Sequence, residues 1–264
     1  MTTADIVRNK TQLRFEGADI PVYVARPGRA AQPSGPAQPP GPAQPSGSPP
    51  ITVMIYGAIW SVTPHIENLC DRLAASGFGA IAPCLFRGRG IPSRAAPPEV
   101  LAQTFVDFDD ARCIRDLRAT AHAARRGEFG FDAGRLVPVG FCLGGRFAHY
   151  MAAFDNTLAG AVNFYGRLRF ARQDNKPFLP AEVTGLIEVP YLGHFAQFDS
   201  LIPLDDVEEL RAALQSRGVP GRIEIYPGAR HGFVDPERPT EHNPEAAARA
   251  WAATIDFLKE LSAR

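Results

Sequence analysis

Residues 137–146, Val-Pro-Val-Gly-Phe-Cys-Leu-Gly-Gly-Arg, constrain the fold of this 264-residue chain more than any other stretch. A short apolar run ends at Gly140, Cys142 stands at the apex, and Gly144 opens a helical pattern through Phe147, Met151 and Phe154. This is the G-x-nucleophile-x-G layout of a nucleophile elbow, with cysteine at the apex. The apex backbone is strained, so its neighbours two positions away must be small. The following helix aims unpaired N–H groups and its positive dipole end at the apex, which favours thiolate over thiol. The Leu143 N–H would face a developing oxyanion. The competing reading is a buried structural cysteine in a tight turn.

The rest of the chain supplies the context an elbow needs. Residues 11–15 and 20–25 read as an antiparallel hairpin around Glu16-Gly17-Ala18-Asp19. Residues 29–50 carry two near-copies of Gly-Pro-Ala-Gln-Pro, a density of Pro and Gly that packs no core and pairs in no sheet. This stretch reads as a disordered surface insert within one domain spanning 1–264. Strands are expected at 51–56, 78–82, 136–139, 158–165, 186–195 and 222–226. Helices are expected after Pro64, over 99–126 with Val106, Ile114 and Leu117 inward, after Asp205-Asp206, and after Pro244. Alternating strands and helices imply an α/β fold, a doubly wound and mostly parallel sheet with helices on both faces. Functional loops then gather at the carboxyl ends of the strands.

A nucleophilic cysteine needs a base, and the base needs an orienting acid. Of six histidines, His149 lies on the elbow helix about 10 Å beyond Cys142, too far to serve. His122 reads as a solvated residue and His194 as a core or lining one, while His65 falls in a helix first turn and His242 in the polar run before the last helix. His231 lies in Tyr-Pro-Gly-Ala-Arg-His-Gly-Phe, 226–233, directly after the last strand. Asp199 follows the strand before it, whereas Asp205 and Asp206 are explained as acids of a helix first turn. The order Cys142, Asp199, His231 is the nucleophile–acid–histidine order of α/β-hydrolases.

On these residues the chain resembles the dienelactone hydrolase family, a cysteine branch of the α/β-hydrolases. The matching pieces are Gly-Phe-Cys-Leu-Gly-Gly at 140–145, Phe-Tyr-Gly at 164–166, residues 193–203 with their Asp, and residues 226–233. The stretch from Asp71-Arg72-Leu73-Ala74 to Pro83 matches as well. The resemblance implies a Cys142/His231/Asp199 triad and a second oxyanion donor in the N–H of Ile59. Three positions depart from the family. Ala58 stands where members often carry a Glu that contacts the resting Cys. Asp235 stands where dienelactone-cleaving members carry an Arg that helps hold the substrate carboxylate. Arg87, Arg89 and Arg94 are loop cations that could replace such an Arg or simply be solvated. Pro83-Cys84-Leu85 replaces the usual Pro-Asp-Leu.

The expected activity is hydrolysis of a small ester or lactone, with Trp60, Phe86, Arg87 and Phe233 as candidate pocket walls. Two other readings compete: a degenerate hydrolase scaffold used for binding, and a redox-sensing thiol with Cys84 or Cys113 as its partner. The formal net charge of +0 gives no basic surface for nucleic acid, and no apolar run reaches the length of a membrane span. The four cysteines show no zinc spacing, so neither metal nor cofactor is expected. Reduced thiols and a polar start point to the cytoplasm. The assembly is expected to be a monomer or small homo-oligomer with a small-molecule partner.

Overall fold

The computed structural model describes residues 5–28 and 50–264, so the Pro/Gly-rich insert at 29–50 lies almost wholly outside the described residues. Strands β1 (Ile6–Phe15) and β2 (Ala18–Pro27) form the hairpin. Its two-residue turn, Glu16-Gly17, has positive φ at both positions, the mirror-image turn whose twist suits a hairpin. β1 is an edge strand, and its exposed Arg8, Lys10 and Arg14 discourage further pairing. β3 (Ile51–Tyr56), β4 (Gly79–Pro83) and β5 (Arg135–Phe141) are almost fully buried, which is why they read as continuous apolar runs. β6 (Ala161–Phe164), β7 (Tyr191–Ala196) and β8 (Gly221–Tyr226) complete an eight-stranded sheet in the order β1-β2-β4-β3-β5-β6-β7-β8. All pairings from β4 onward are parallel, and only β1–β2 and β2–β4 are antiparallel.

The helices follow from the strand order. The step from β3 to β4 runs one way across the sheet, and the later steps run the other way. Right-handed crossovers therefore put α1 (Pro64–Ala75) on one face and α3 (Asp110–Arg125), α4 (Leu143–Phe154) and α6 (Leu204–Ser216) on the other. Side chains bear this out. Arg72 of α1 lies 4.5 Å over the Trp251 ring of α7 (Pro244–Ser262), and Arg146 of α4 pairs with Asp110 of α3 at 2.8 Å. The connections diverge between β3 and β5, so a crevice opens at the carboxyl ends of these two strands. The elbow and the turn after β3 both lie there. Among the described residues no helix is long and apolar enough to cross a membrane.

Three expected elements differ. The helix over 99–126 is two helices, α2 (Pro98–Asp107) and α3. Phe108 adopts extended backbone, turns its buried ring edge-on to Phe86, and leaves Asp109 to cap α3 by accepting from the Arg112 N–H. α2 buries no residue fully, and Val106, expected inward, is 41% exposed. The strand over 186–195 is only β7. Pro180–Val183 is a single helical turn (α5), and Thr184–Leu186 continues it as a 3-10 turn. The strand over 158–165 shortens to β6 because Leu158 and Ala159 are used in the approach to the sheet.

Candidate active site

Cys142 carries φ +54°, ψ −112°, a conformation that a side chain adopts only at a cost. The surrounding glycines are required by contact. A Cβ on Gly140 would lie 1.9 Å from the Gly144 carbonyl oxygen, and one on Gly144 would lie 2.0 Å from the Tyr56 oxygen. The elbow thus packs backbone against backbone, on itself and on the end of β3. Cys142 N–H donates to the Phe164 carbonyl at 3.0 Å, tying the apex to β6.

Residues from three strand ends meet at this point. His231 Nε2 lies 3.0 Å from Cys142 Sγ, and His231 Nδ1 lies 2.8 Å from Asp199 Oδ2. The other Asp199 oxygen accepts from Leu201 N–H at 2.8 Å, so the carboxylate is oriented by backbone as well. The two supporting loops are stitched together. Gln197 N–H donates to the Tyr226 carbonyl, Phe198 N–H to the Ala229 carbonyl, and Gly228 N–H to Gln197 Oε1. Behind the imidazole, Tyr165 stands 5.1 Å away between ring centres, and Phe233 backs Tyr165 at 5.4 Å.

The electrostatics are those of an ion pair. Burial pushes the Cys142 thiol up, but the charge and hydrogen bond of His231, with the Leu143 N–H, outweigh it and hold the thiol below its ordinary value. Burial also opposes charge on His231, yet the Cys142 thiolate and the Asp199 carboxylate raise it to about 10. Other buried histidines behave oppositely. Burial pushes His149 down to about 4 against the pull of the Pro180 carbonyl, and burial together with the charge of Arg222 pushes His194 down to about 3; the first sits between Tyr191 and the Pro180 carbonyl, the second between Tyr226 and Thr254. Both are neutral core residues.

The expected pocket residues divide. Trp60 lines a recess beside the elbow, together with Ala58, His65, Phe141, Tyr165 and Asp235. Arg87, expected as a pocket wall, does not line the recess: its guanidinium grips Asp116 through two hydrogen bonds and approaches Glu16 at 3.7 Å, fastening the hairpin turn to α3. Phe86 packs 4.8 Å from Phe108, and Phe233 is fully buried between Tyr165 and Tyr226, so both act as core aromatics and do not line the recess. Ile59 lies in a turn closed by Ser61 N–H to the Ala58 carbonyl at 2.7 Å. The glycine opening that turn, Gly57, abuts Gly144, so the turn lies against the elbow.

The rim carries two features that the sequence did not reveal. Arg94 pairs with Asp235 at 2.8 Å and Glu237 at 3.2 Å while stacking 4.5 Å over Trp60. Arg167, one residue past Phe-Tyr-Gly, has no carboxylate partner among the described residues. Its position at a strand's carboxyl end was the available signal. Among the described residues no cluster of three or more His, Cys, Asp or Glu could hold a metal. Cys70 and Cys113 are buried thiols pushed well up by burial, so neither is an ionised partner for Cys142.

A mostly parallel sheet with a cysteine elbow at the divergence of its connections defines an α/β-hydrolase-type fold. Residues 41–262 match the dienelactone hydrolase family, and the chain belongs to that family. It is 31% identical over 260 residues to a protein of Escherichia coli (strain K12) named "Putative carboxymethylenebutenolidase", covering 98% of this chain and 89% of that one. A protein of the same name from Salmonella typhi is 32% identical over 256 residues, covering 96% and 87%. A solved structure described as a "Putative Dienelactone Hydrolase" from Klebsiella pneumoniae subsp. pneumoniae MGH 78578 superposes with a TM-score of 0.82 at 32% identity, covering 97% of this chain and 99% of that one.

Proposed function

We propose that this chain hydrolyses a small ester or lactone through a thioester on Cys142. The observation that carries the reading is the chain of contacts from sulfur to imidazole to carboxylate, 3.0 and 2.8 Å long, at a strained elbow. The Cys142 thiolate attacks the ester carbonyl. The N–H groups of Leu143 and Ile59 receive the oxyanion. His231, already protonated, gives its proton to the departing alkoxide, which could not otherwise outcompete the thiolate as leaving group. Acylation removes the sulfur's negative charge, one of the influences that holds the imidazole proton. The neutral His231 can then take a proton from water, which attacks the thioester and releases the acid and the thiolate. Asp199 holds the ring in one tautomer throughout.

The test is p-nitrophenol release from p-nitrophenyl acetate by the native protein and by Cys142→Ala. The expected loss is roughly a thousandfold or more, with an acetyl adduct on Cys142 visible by mass spectrometry when the native enzyme is quenched early. Equal release by both proteins, on this ester and on a panel of lactones, rejects the reading.

A further inference from the structure

Most polar side chains lining the recess beside Cys142 are already committed. Arg94 spends its charge on Asp235 and Glu237, at 2.8 and 3.2 Å, and the other Asp235 oxygen accepts from the Glu237 N–H at 3.0 Å. Trp60 Nε1 donates to the Ser93 carbonyl at 3.3 Å. Ser61 Oγ accepts from the Leu85 N–H at 3.0 Å and donates to Cys84 Sγ, and Thr63 Oγ1 caps α1 by accepting from the Ile66 N–H. Two lining side chains remain, the His65 imidazole and the Tyr165 hydroxyl. Neither has a hydrogen-bond partner among the described residues, and neither is among the polar groups sealed from solvent without one, so both open on the recess. The half-buried His65 is held there by the first turn of α1.

The recess borders the group that protonates the departing alkoxide. Tyr165 stands 5.1 Å from His231 between ring centres, and the Asp235 N–H donates to the Gly232 carbonyl at 3.0 Å, so one wall is continuous with the loop that carries His231. The alcohol portion of an ester held on Cys142 therefore points into it. Burial holds His65 below its ordinary value, and Arg72 and Arg94 add to that against the pull of Asp235 and Glu237. A neutral imidazole offers one N–H donor and one acceptor, and a phenol hydroxyl offers both as well. That pair matches a hydroxyl. It does not suit a carboxylate, which only accepts and would face Asp235. We propose that His65 is a specificity-determining residue: with the Tyr165 hydroxyl it receives an uncharged hydroxyl on the alcohol portion of the substrate, so the recess selects esters of diols and other hydroxylated alcohols. This rests on the hydrolase reading above.

The test compares kcat/KM for 2-hydroxyethyl butanoate with that for propyl butanoate, followed by acid release in a pH-stat. The two esters differ only in a terminal hydroxyl against a methyl. In His65→Leu the hydroxyethyl-to-propyl ratio is expected to fall about threefold to tenfold, the worth of one neutral hydrogen bond. A ratio, measured within each variant, does not depend on how much of that variant folds. A fall smaller than about twofold, or a rise, overturns the proposal. His65→Gln, which again offers a donor and an acceptor, should restore part of the ratio; a fall as deep as that in His65→Leu overturns the role given to hydrogen bonding. If the native protein turns over neither ester, the hydrolase reading fails and a second ratio decides: alkylation of Cys142 by N-(2-hydroxyethyl)iodoacetamide against N-propyliodoacetamide. Its fall by about twofold or more in His65→Leu upholds the hydroxyl site without turnover, and a smaller change rejects it.

Discussion

The two rims beside Cys142 both carry arginine, and they are opposite in electrostatic character. On the Trp60 rim, Arg94 stacks on the indole and spends its charge on Asp235 and Glu237, while Arg238, 5.6 Å from the same ring, pairs with Glu241. On the Gly166 rim, Arg167 faces Phe105 with no carboxylate partner among the described residues. The number of cations near a site therefore says little about its field. What matters is which of them are already neutralised, and by residues from where. Asp235 stands 141 positions from the Arg94 it neutralises.

The largest effect should come from the group both rims share. His231→Gln removes the imidazolium that holds the Cys142 thiol down. Ester turnover should fall about a hundredfold to ten-thousandfold. The pH profile of Cys142 alkylation by iodoacetamide should also move. In the native protein the rate stays high as pH falls below the ordinary thiol range, because the thiol lies below its usual value. In His231→Gln the midpoint shifts up towards that range, and the rate at neutral pH drops. An unmoved midpoint would mean that the sulfur's charge is set elsewhere and that the imidazole is not its counter-ion.

An intermediate effect should follow from altering the Trp60 rim. Asp235→Asn takes one of two carboxylates from Arg94 while keeping an oxygen for the Glu237 N–H, which Asp235 now accepts at 3.0 Å. The ratio of kcat/KM for mono-p-nitrophenyl adipate to that for p-nitrophenyl hexanoate, which has the same chain length and no carboxylate, should rise about twofold to fivefold, the scale of a partly exposed charge pair. The comparison breaks if the ratio falls, because Asp235 would then be supporting anion binding and not cancelling it.

Part of this arrangement was legible in the chain. Gly140 and Gly144 are dictated by contacts of 1.9 and 2.0 Å to backbone oxygens, so the elbow writes itself into the sequence. β3 and β5 read as unbroken apolar runs because both of their faces are covered. Cys142, Asp199 and His231 each follow a strand in the expected order, and the parallel sheet brings those ends together. What escaped was long-range pairing and local competition. Arg87 reads as a free loop cation until the fold brings Asp116 beside it, and nothing within a few residues of Arg167 states that no acid of the described residues reaches it. The helical period runs on through Val106, yet Phe108 is drawn into the aromatic core and Asp109 restarts the helix, which leaves Val106 facing solvent.

The smallest expected effect separates the rims most directly. A paired arginine has almost no net field for salt to screen, whereas an unpaired one does. Raising the ionic strength shortens the Debye length from about 10 Å at 0.1 M towards 3 Å at 1 M. Since Arg167 is half-buried, any field it contributes should be screened only modestly, so kcat/KM for the adipate ester should fall by about twofold to fivefold across that range. The hexanoate ester should change less. The difference between the two salt slopes should shrink in Arg167→Gln, because a cation with no carboxylate partner among the described residues has gone. It should grow in Asp235→Asn, because a second cation has been partly unmasked. If the two substitutions instead change the slopes alike, the field at the sulfur is a property of the whole surface, and the contrast between the rims does not direct the substrate.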